Sequence, residues 1–115
     1  MVRRKPTFEC LIVKDGKGVE VEALCSEYHE NNYMKREIAE ELGCHDDVCT
    51  ASIYVKGWGM YAYAYHTLFK VSDDIEDQVI IGRRTLKVLD ELWGIKIKDG
   101  RVDLGGKVFM KKVFL

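Results

Sequence analysis

Val48-Cys-Thr-Ala-Ser-Ile-Tyr-Val-Lys-Gly-Trp-Gly-Met-Tyr-Ala-Tyr-Ala-Tyr-His-Thr-Leu-Phe-Lys-Val71 is dense in β-branched and aromatic residues on both sides of Lys56-Gly57-Trp58-Gly59. Such residues fit a pleated, half-buried surface, and the glycines between them mark a turn. The run reads as a long β-hairpin. Gly57-Trp58 as a type II′ loop puts Lys56 opposite Gly59, Val55 opposite Met60, Tyr54 opposite Tyr61 and Cys49 opposite His66. Side chains alternate along a strand, so each pair belongs to one face. One face gathers Cys49, Ala51, Ile53 and Val55 with Met60, Ala62, Ala64, His66 and Leu68, and it is assigned to the core. The other gathers Thr50, Ser52 and Tyr54 with Tyr61, Tyr63, Tyr65 and Thr67. A slip of one residue would exchange the two sets.

The second face is amphipathic, because its large rings carry hydroxyls. It is either covered by other strands or by a second copy of the chain, or it is a recognition surface, since Tyr offers contact area with a polar handle at low entropy cost. The candidate binding residues are Tyr54, Trp58, Tyr61, Tyr63 and Tyr65.

The chain has 115 residues, 47% hydrophobic and 32% charged, which suits one domain over 1–115 with its own core. Eighteen basic and nineteen acidic residues give a net charge of −1. That balance argues against a mainly electrostatic nucleic-acid binder and against an acidic mimic of nucleic acid. Arg3, Arg4 and Lys56 remain as local basic positions. With the Tyr rings they make single-stranded nucleic acid the alternative ligand. The N-terminus lacks the apolar core of a secretory signal, and no run is long enough to span a membrane. The expectation is a cytoplasmic protein with four reduced cysteines, Cys10, Cys25, Cys44 and Cys49.

Thr7–Val13 and Val19–Cys25 flank a Gly-rich turn and read as another hairpin. That turn is not a phosphate loop, because no Lys-Ser/Thr pair opens a helix after it. Met34, Ile38 and Leu42 form one stripe of a helix over about 32–43, with Gly43 as its stop. Arg36-Glu-Ile-Ala-Glu-Glu-Leu-Gly43 resembles the first helix and turn glycine of a helix-turn-helix, but His45-Asp46-Asp47 would turn acids toward phosphates and a strand follows. Ser72 can cap a segment opening Asp73-Asp74-Ile75-Glu76-Asp77, which suits a helix dipole. A further helix is expected from about Thr85 to Trp93, ending at Gly94. Asp99-Gly100 marks a tight hairpin, and Lys107–Leu115 reads as a final strand.

Two constellations could carry chemistry. Cys25 and His29 with Cys44 and Cys49 offer thiolate and imidazole ligands to zinc, although the spacings match no standard knuckle. Cys49 and His66, cross-strand in this register, could be a nucleophile and base, but both lie on the face assigned to the core. No nucleophile elbow, zinc-protease motif or dinucleotide fingerprint occurs. The sequence is therefore read as an α+β fold, a mainly antiparallel sheet with two helices packed on one face, ordered ββαββα with short C-terminal strands. Its expected function is a non-catalytic protein-interaction module, a regulator or inhibitor of a larger protein or a self-associating unit, using the Tyr face. A zinc-stabilised module is a further alternative. Neither an enzyme nor a cofactor is expected.

Overall fold

A computed structural model describes residues 5–57 and 59–104 of the chain. Among the described residues eight strands and two helices follow one another: β1 (Thr7–Lys14), β2 (Lys17–Cys25), β3 (Asn32–Lys35), α1 (Arg36–Glu41), β4 (Val48–Gly57), β5 (Met60–Ser72), β6 (Val79–Ile81), α2 (Arg83–Trp93), β7 (Lys96–Lys98) and β8 (Arg101–Asp103). Six strands close into a barrel in the order β1-β2-β6-β3-β5-β4, and β7 pairs with β8 beside it.

Local turn chemistry sets the hairpins. Asp15 and Gly16 have φ of 49° and 79°, and Asp99 and Gly100 have φ of 53° and 71°. Two successive positive φ values match a type I′ loop, and Asp-Gly tolerates them best. Lys14 thus pairs with Lys17, and Lys98 with Arg101. Alternation then turns Phe8, Cys10, Ile12, Val21, Ala23 and Cys25 inward, where all are buried. Cys49, Ala51, Ile53 and Val55 line the same interior from β4. Fully burying such an aliphatic or aromatic side chain stabilises by roughly 1.5–3 kcal/mol.

The expected sheet with helices on one face is replaced by this closed barrel, for two local reasons. The stripe Met34, Ile38 and Leu42 is buried throughout, but its first member belongs to β3. Asn32–Lys35 pairs parallel to β5 and antiparallel to β6, so the helix begins only at Arg36. Val79-Ile80-Ile81 is the second reason. This all-apolar triplet forms β6, parallel to β2, and closes the barrel between β2 and β3. The segment opening at Asp73 is not helical. Ser72 Oγ instead accepts the Asp74 N–H at 3.2 Å.

The β4–β5 hairpin keeps its inner β4 residues but changes its register. Gly57 pairs with Met60, where the expected register put Val55 opposite Met60. Tyr54 lies opposite Tyr63 and Ile53 opposite Tyr65, a β-bulge that leaves Ala64 unmatched. The extra residue reverses the phase of β5. Beyond it Tyr65 and Phe69 turn inward, whereas His66 and Leu68 turn out. Cys49 accordingly faces Phe69, not His66, and the expected thiol–imidazole pair does not form. The final strand expected at Lys107–Leu115 lies outside the described residues.

Candidate functional site

The described residues bury three polar side chains, Ser26, Asn32 and Thr85. All three lie where the ends of β2 and β6 meet the start of α2. The parallel β2–β6 ladder ends at Cys25 opposite Ile81, and the Ser26 N–H extends it by donating to Ile81 O at 2.9 Å. The chain then leaves the sheet over residues 26–31.

That departure is stitched down at several points. The Tyr28 N–H donates to Ser26 Oγ at 3.3 Å, and Ser26 Oγ lies 2.7 Å from His29 Nδ1. A serine hydroxyl donates once and accepts elsewhere. The amide uses one acceptor lone pair of Oγ, and the contact with Nδ1 has its donor set by the imidazole tautomer. His29 O accepts the Arg83 N–H at 2.8 Å, and its ring meets Tyr33 edge-on with centroids 5.5 Å apart. Asn32 Nδ2 donates to Thr85 Oγ1 at 2.8 Å and to Leu68 O at 3.1 Å, and Asn32 Oδ1 accepts the Gly82 N–H at 2.9 Å. A cavity of about 330 Å³ opens beside this junction. Pro6, Leu24, Cys25, Tyr28 and Ile97 give it apolar walls, Ser26 lines it, and Lys5 and Glu27 are its charged members. Tyr28 is 95% exposed although it flanks an apolar cavity.

A second hydroxyl–imidazole contact shows what the first one adds. Ser52 Oγ lies 2.9 Å from His66 Nδ1, but across the outward face of the β4–β5 ribbon, with His66 exposed. The pair at the end of β2 differs in having a buried hydroxyl and a cavity in front of it.

Carboxylates do not converge in the same way. Among the described residues no Asp or Glu is buried. Asp73 is held below the usual carboxylate range by the hydrogen bond from Arg36, which also reaches Asp47 at 3.2 Å. The thiols are the other perturbed groups. Burial pushes Cys25 and Cys49 up to about 12 and Cys10 upward as well.

The residues singled out from sequence are dispersed. Tyr54 and Tyr63 meet edge-on at 5.5 Å on the outer face. Tyr61 is half-buried near Glu20, Lys56 and Glu9, whereas Tyr65 packs against the core. Lys56 is paired with Glu9 at 3.2 Å. Arg3, Arg4 and Trp58 lie outside the described residues. Cys44 and Cys49 are neighbours near the start of β4, while Cys25 and His29 flank Ser26 at the end of β2. No three metal-ligating side chains gather among the described residues. Ser26 is hidden in the sequence because the stretch around it reads as a polar connection, and Asn32, a candidate helix N-cap by residue type, instead lies in β3 ahead of a helix that begins at Arg36. The available signal was Ser-x-x-His directly after a strand.

No known family profile matches the chain, and no curated protein has a similar sequence. The barrel itself has solved counterparts. It is similar to the retroviral protease-like domain of Ddi1 from Leishmania major, with a TM-score of 0.61 and 21% identity over 86% of this chain and 81% of that one. It is similar to the EIAV protease, solved with the inhibitor HBY-793, with a TM-score of 0.52 and 20% identity over 84% of this chain and 95% of that one. These likenesses establish a retropepsin-like fold. They overturn the α+β reading and the expectation of a non-catalytic interaction module, regulator or inhibitor, and they point away from the reading as a non-enzyme. No helix among the described residues is long and apolar enough to cross a membrane.

Proposed function

We propose that the chain is a peptide-bond hydrolase acting on an extended stretch of polypeptide, working as two copies. The observation that carries this reading is the mostly apolar cavity of about 330 Å³ at the end of β2, with the buried Ser26 in its wall, in a barrel similar to protease domains. A cleft that is mostly apolar with a few convergent polar groups is the usual form of a binding site. Here the walls suit a bulky apolar side chain, while Ser26 and Glu27 are placed to meet the neighbouring peptide group. The substrate class is therefore a polypeptide with an apolar residue beside the scissile bond.

The second copy is supported by two points. Retropepsin-like folds often dimerise. Tyr28 stands 95% exposed beside the cavity, a ring whose burial a partner would complete.

The test is cleavage of a mixed peptide library, read by mass spectrometry across a range of protein concentrations. The reading expects cuts beside apolar residues and a rate per chain that rises with concentration. An uncut library at every concentration and pH would overturn it.

A further inference from the structure

We infer that Glu27 and Tyr28 select a basic residue in the substrate, arginine above lysine, two positions from the apolar residue that enters the cavity. The inference rests on the peptidase reading above. The rim of the cavity is electrically lopsided once its ion pairs are considered. Its charged members are Lys5 and Glu27. Lys5 Nζ is already paired with Asp77 at 3.4 Å. The next carboxylate along the chain, Glu30, is held by Arg84 at 2.7 Å. The Glu27 carboxylate has no ion pair and no hydrogen bond among the described residues. An exposed carboxylate therefore stands at the mouth of a mostly apolar cavity with its charge uncompensated.

Tyr28 supplies the second half of a cation site. Its ring is 95% exposed and lines the same cavity. A guanidinium can stack on an aromatic face while its edge donates two parallel hydrogen bonds to a carboxylate. An ammonium is a point charge and meets the two groups less well at once, which ranks arginine above lysine. The ring has two faces, so a guanidinium on one leaves the other for the second copy. Local folding brings the two residues together. The Cys25 N–H donates to Pro6 O at 2.8 Å, where β1 and β2 part. Just beyond, the Tyr28 N–H donates to Ser26 Oγ at 3.3 Å, a side-chain turn that bends the chain. Neighbouring residues of a strand point to opposite sides, and this bend lets Glu27 and Tyr28 line one cavity.

The spacing follows from the geometry of an extended peptide. Its side chains alternate, so residues two apart face the same side, about 7 Å from each other. The apolar walls and Glu27 belong to one cavity, so the apolar side chain and the cation approach from one side. The recognised pattern is apolar-x-Arg or Arg-x-apolar. The rival at the rim is Lys5, which would favour an acidic residue instead. Its pairing with Asp77 leaves Glu27 as the uncompensated charge.

Calorimetry with reduced-amide peptides tests the inference. Each peptide carries Phe and, two positions to either side of it, Arg, Gln or Glu. Binding should favour Arg over Gln on the order of tenfold, the joint size of an exposed ion pair and a cation–π contact. Glu should bind more weakly than Gln. Raised salt should narrow the preference for Arg. Glu27→Gln should erase the difference between Arg and Gln, and Glu27→Lys should turn the preference to Glu. Tyr28→Ala should narrow the preference for Arg without reversing it. Circular dichroism checks that each variant is folded. A preference for Arg that survives Glu27→Gln, or that disappears in Lys5→Met, would overturn the assignment. Binding of all the peptides without discrimination would also overturn it, and cleavage of their ordinary amide counterparts would leave the peptidase standing. Discrimination in binding with no cleavage of the amide peptides would do the reverse, keeping the recognition site and removing the peptidase. No binding of any peptide would remove the site itself.

Discussion

The Gly82 N–H donates to Asn32 Oδ1 at 2.9 Å, and this bond joins the start of β3 to the start of α2 directly behind the Ser26–His29 pair. The approach is close enough to exclude a side chain. A Cβ on Gly82 would come 2.3 Å from Asn31 O and 2.6 Å from Asn31 C. Both are backbone atoms and cannot swing aside. The φ of Gly82 is −82°, so space and not backbone strain requires glycine.

Gly82→Ala should therefore destabilise the fold by about 3 kcal/mol, at the upper end of overpacking costs. Asn32→Ala should cost a similar amount, because each buried group left unpartnered costs about 1–3 kcal/mol. Urea denaturation measures both. Wild-type stability in Gly82→Ala would show that the 30–32 backbone yields, and the site would not be rigidly framed.

Trp93 Nε1 donates to Ala64 O at 2.7 Å, at the residue that the bulge leaves unmatched. The bond seats α2 on the point where β5 changes phase. Trp93→Phe keeps most of the bulk but strands a buried carbonyl, and a loss of about 1–3 kcal/mol is expected. An unchanged urea midpoint would show that the carbonyl finds another partner.

Burial of the thiols predicts a loss of stability at alkaline pH. Burial raises Cys25 and Cys49 from 9.0 to about 12 and raises Cys10 as well. A pKa raised on folding means that the folded chain holds the proton more tightly than the unfolded one. The stabilisation is then whole below pH 9 and drains away as pH climbs from 9 towards 12. Urea midpoints at pH 8 and pH 10.5 should show the fall. A variant with Cys10, Cys25 and Cys49 replaced by Ala should show a shallower one, and an equal slope in that variant would assign the effect to other groups.

Arg36 holds Asp73 at 2.7 Å and thereby lowers its pKa. A lowered carboxylate contributes above its unfolded pKa, and the contribution is lost as acid protonates it. Arg36→Ala should move the Asp73 titration upward toward 3.8, its ordinary value, as followed by carboxyl NMR. The same midpoint in both proteins would mean that the pair does not persist in solution.

How far the sequence could be read depended on the range of the forces involved. Asp15-Gly16 and Asp99-Gly100 announce their hairpins because turn type is a local steric matter. Helix α2 and its end at Gly94 were legible from periodicity. Barrel closure was not. It depends on Val79-Ile80-Ile81 finding two partners far away in sequence, and a three-residue apolar run has no period to reveal them. Met34 misled for a related reason, since spacing of four fits a helix and tertiary pairing made it a strand. The bulge at Ala64 defeated the face assignment of β5, because one extra residue reverses every side chain after it. Ser26 was hidden in a segment whose composition says only that it is a loop. Its partner His29 was visible, but as a metal ligand beside Cys25.

The most direct measurement of the central claim is a crystal structure with a non-cleavable peptide isostere bearing a bulky apolar residue. The peptidase reading places the isostere within hydrogen-bond distance of Ser26 Oγ, with the apolar side chain between Leu24, Tyr28 and Ile97. Density for the peptide along the outer Tyr54–Tyr63 face, with the cavity at the end of β2 left unfilled, would contradict it.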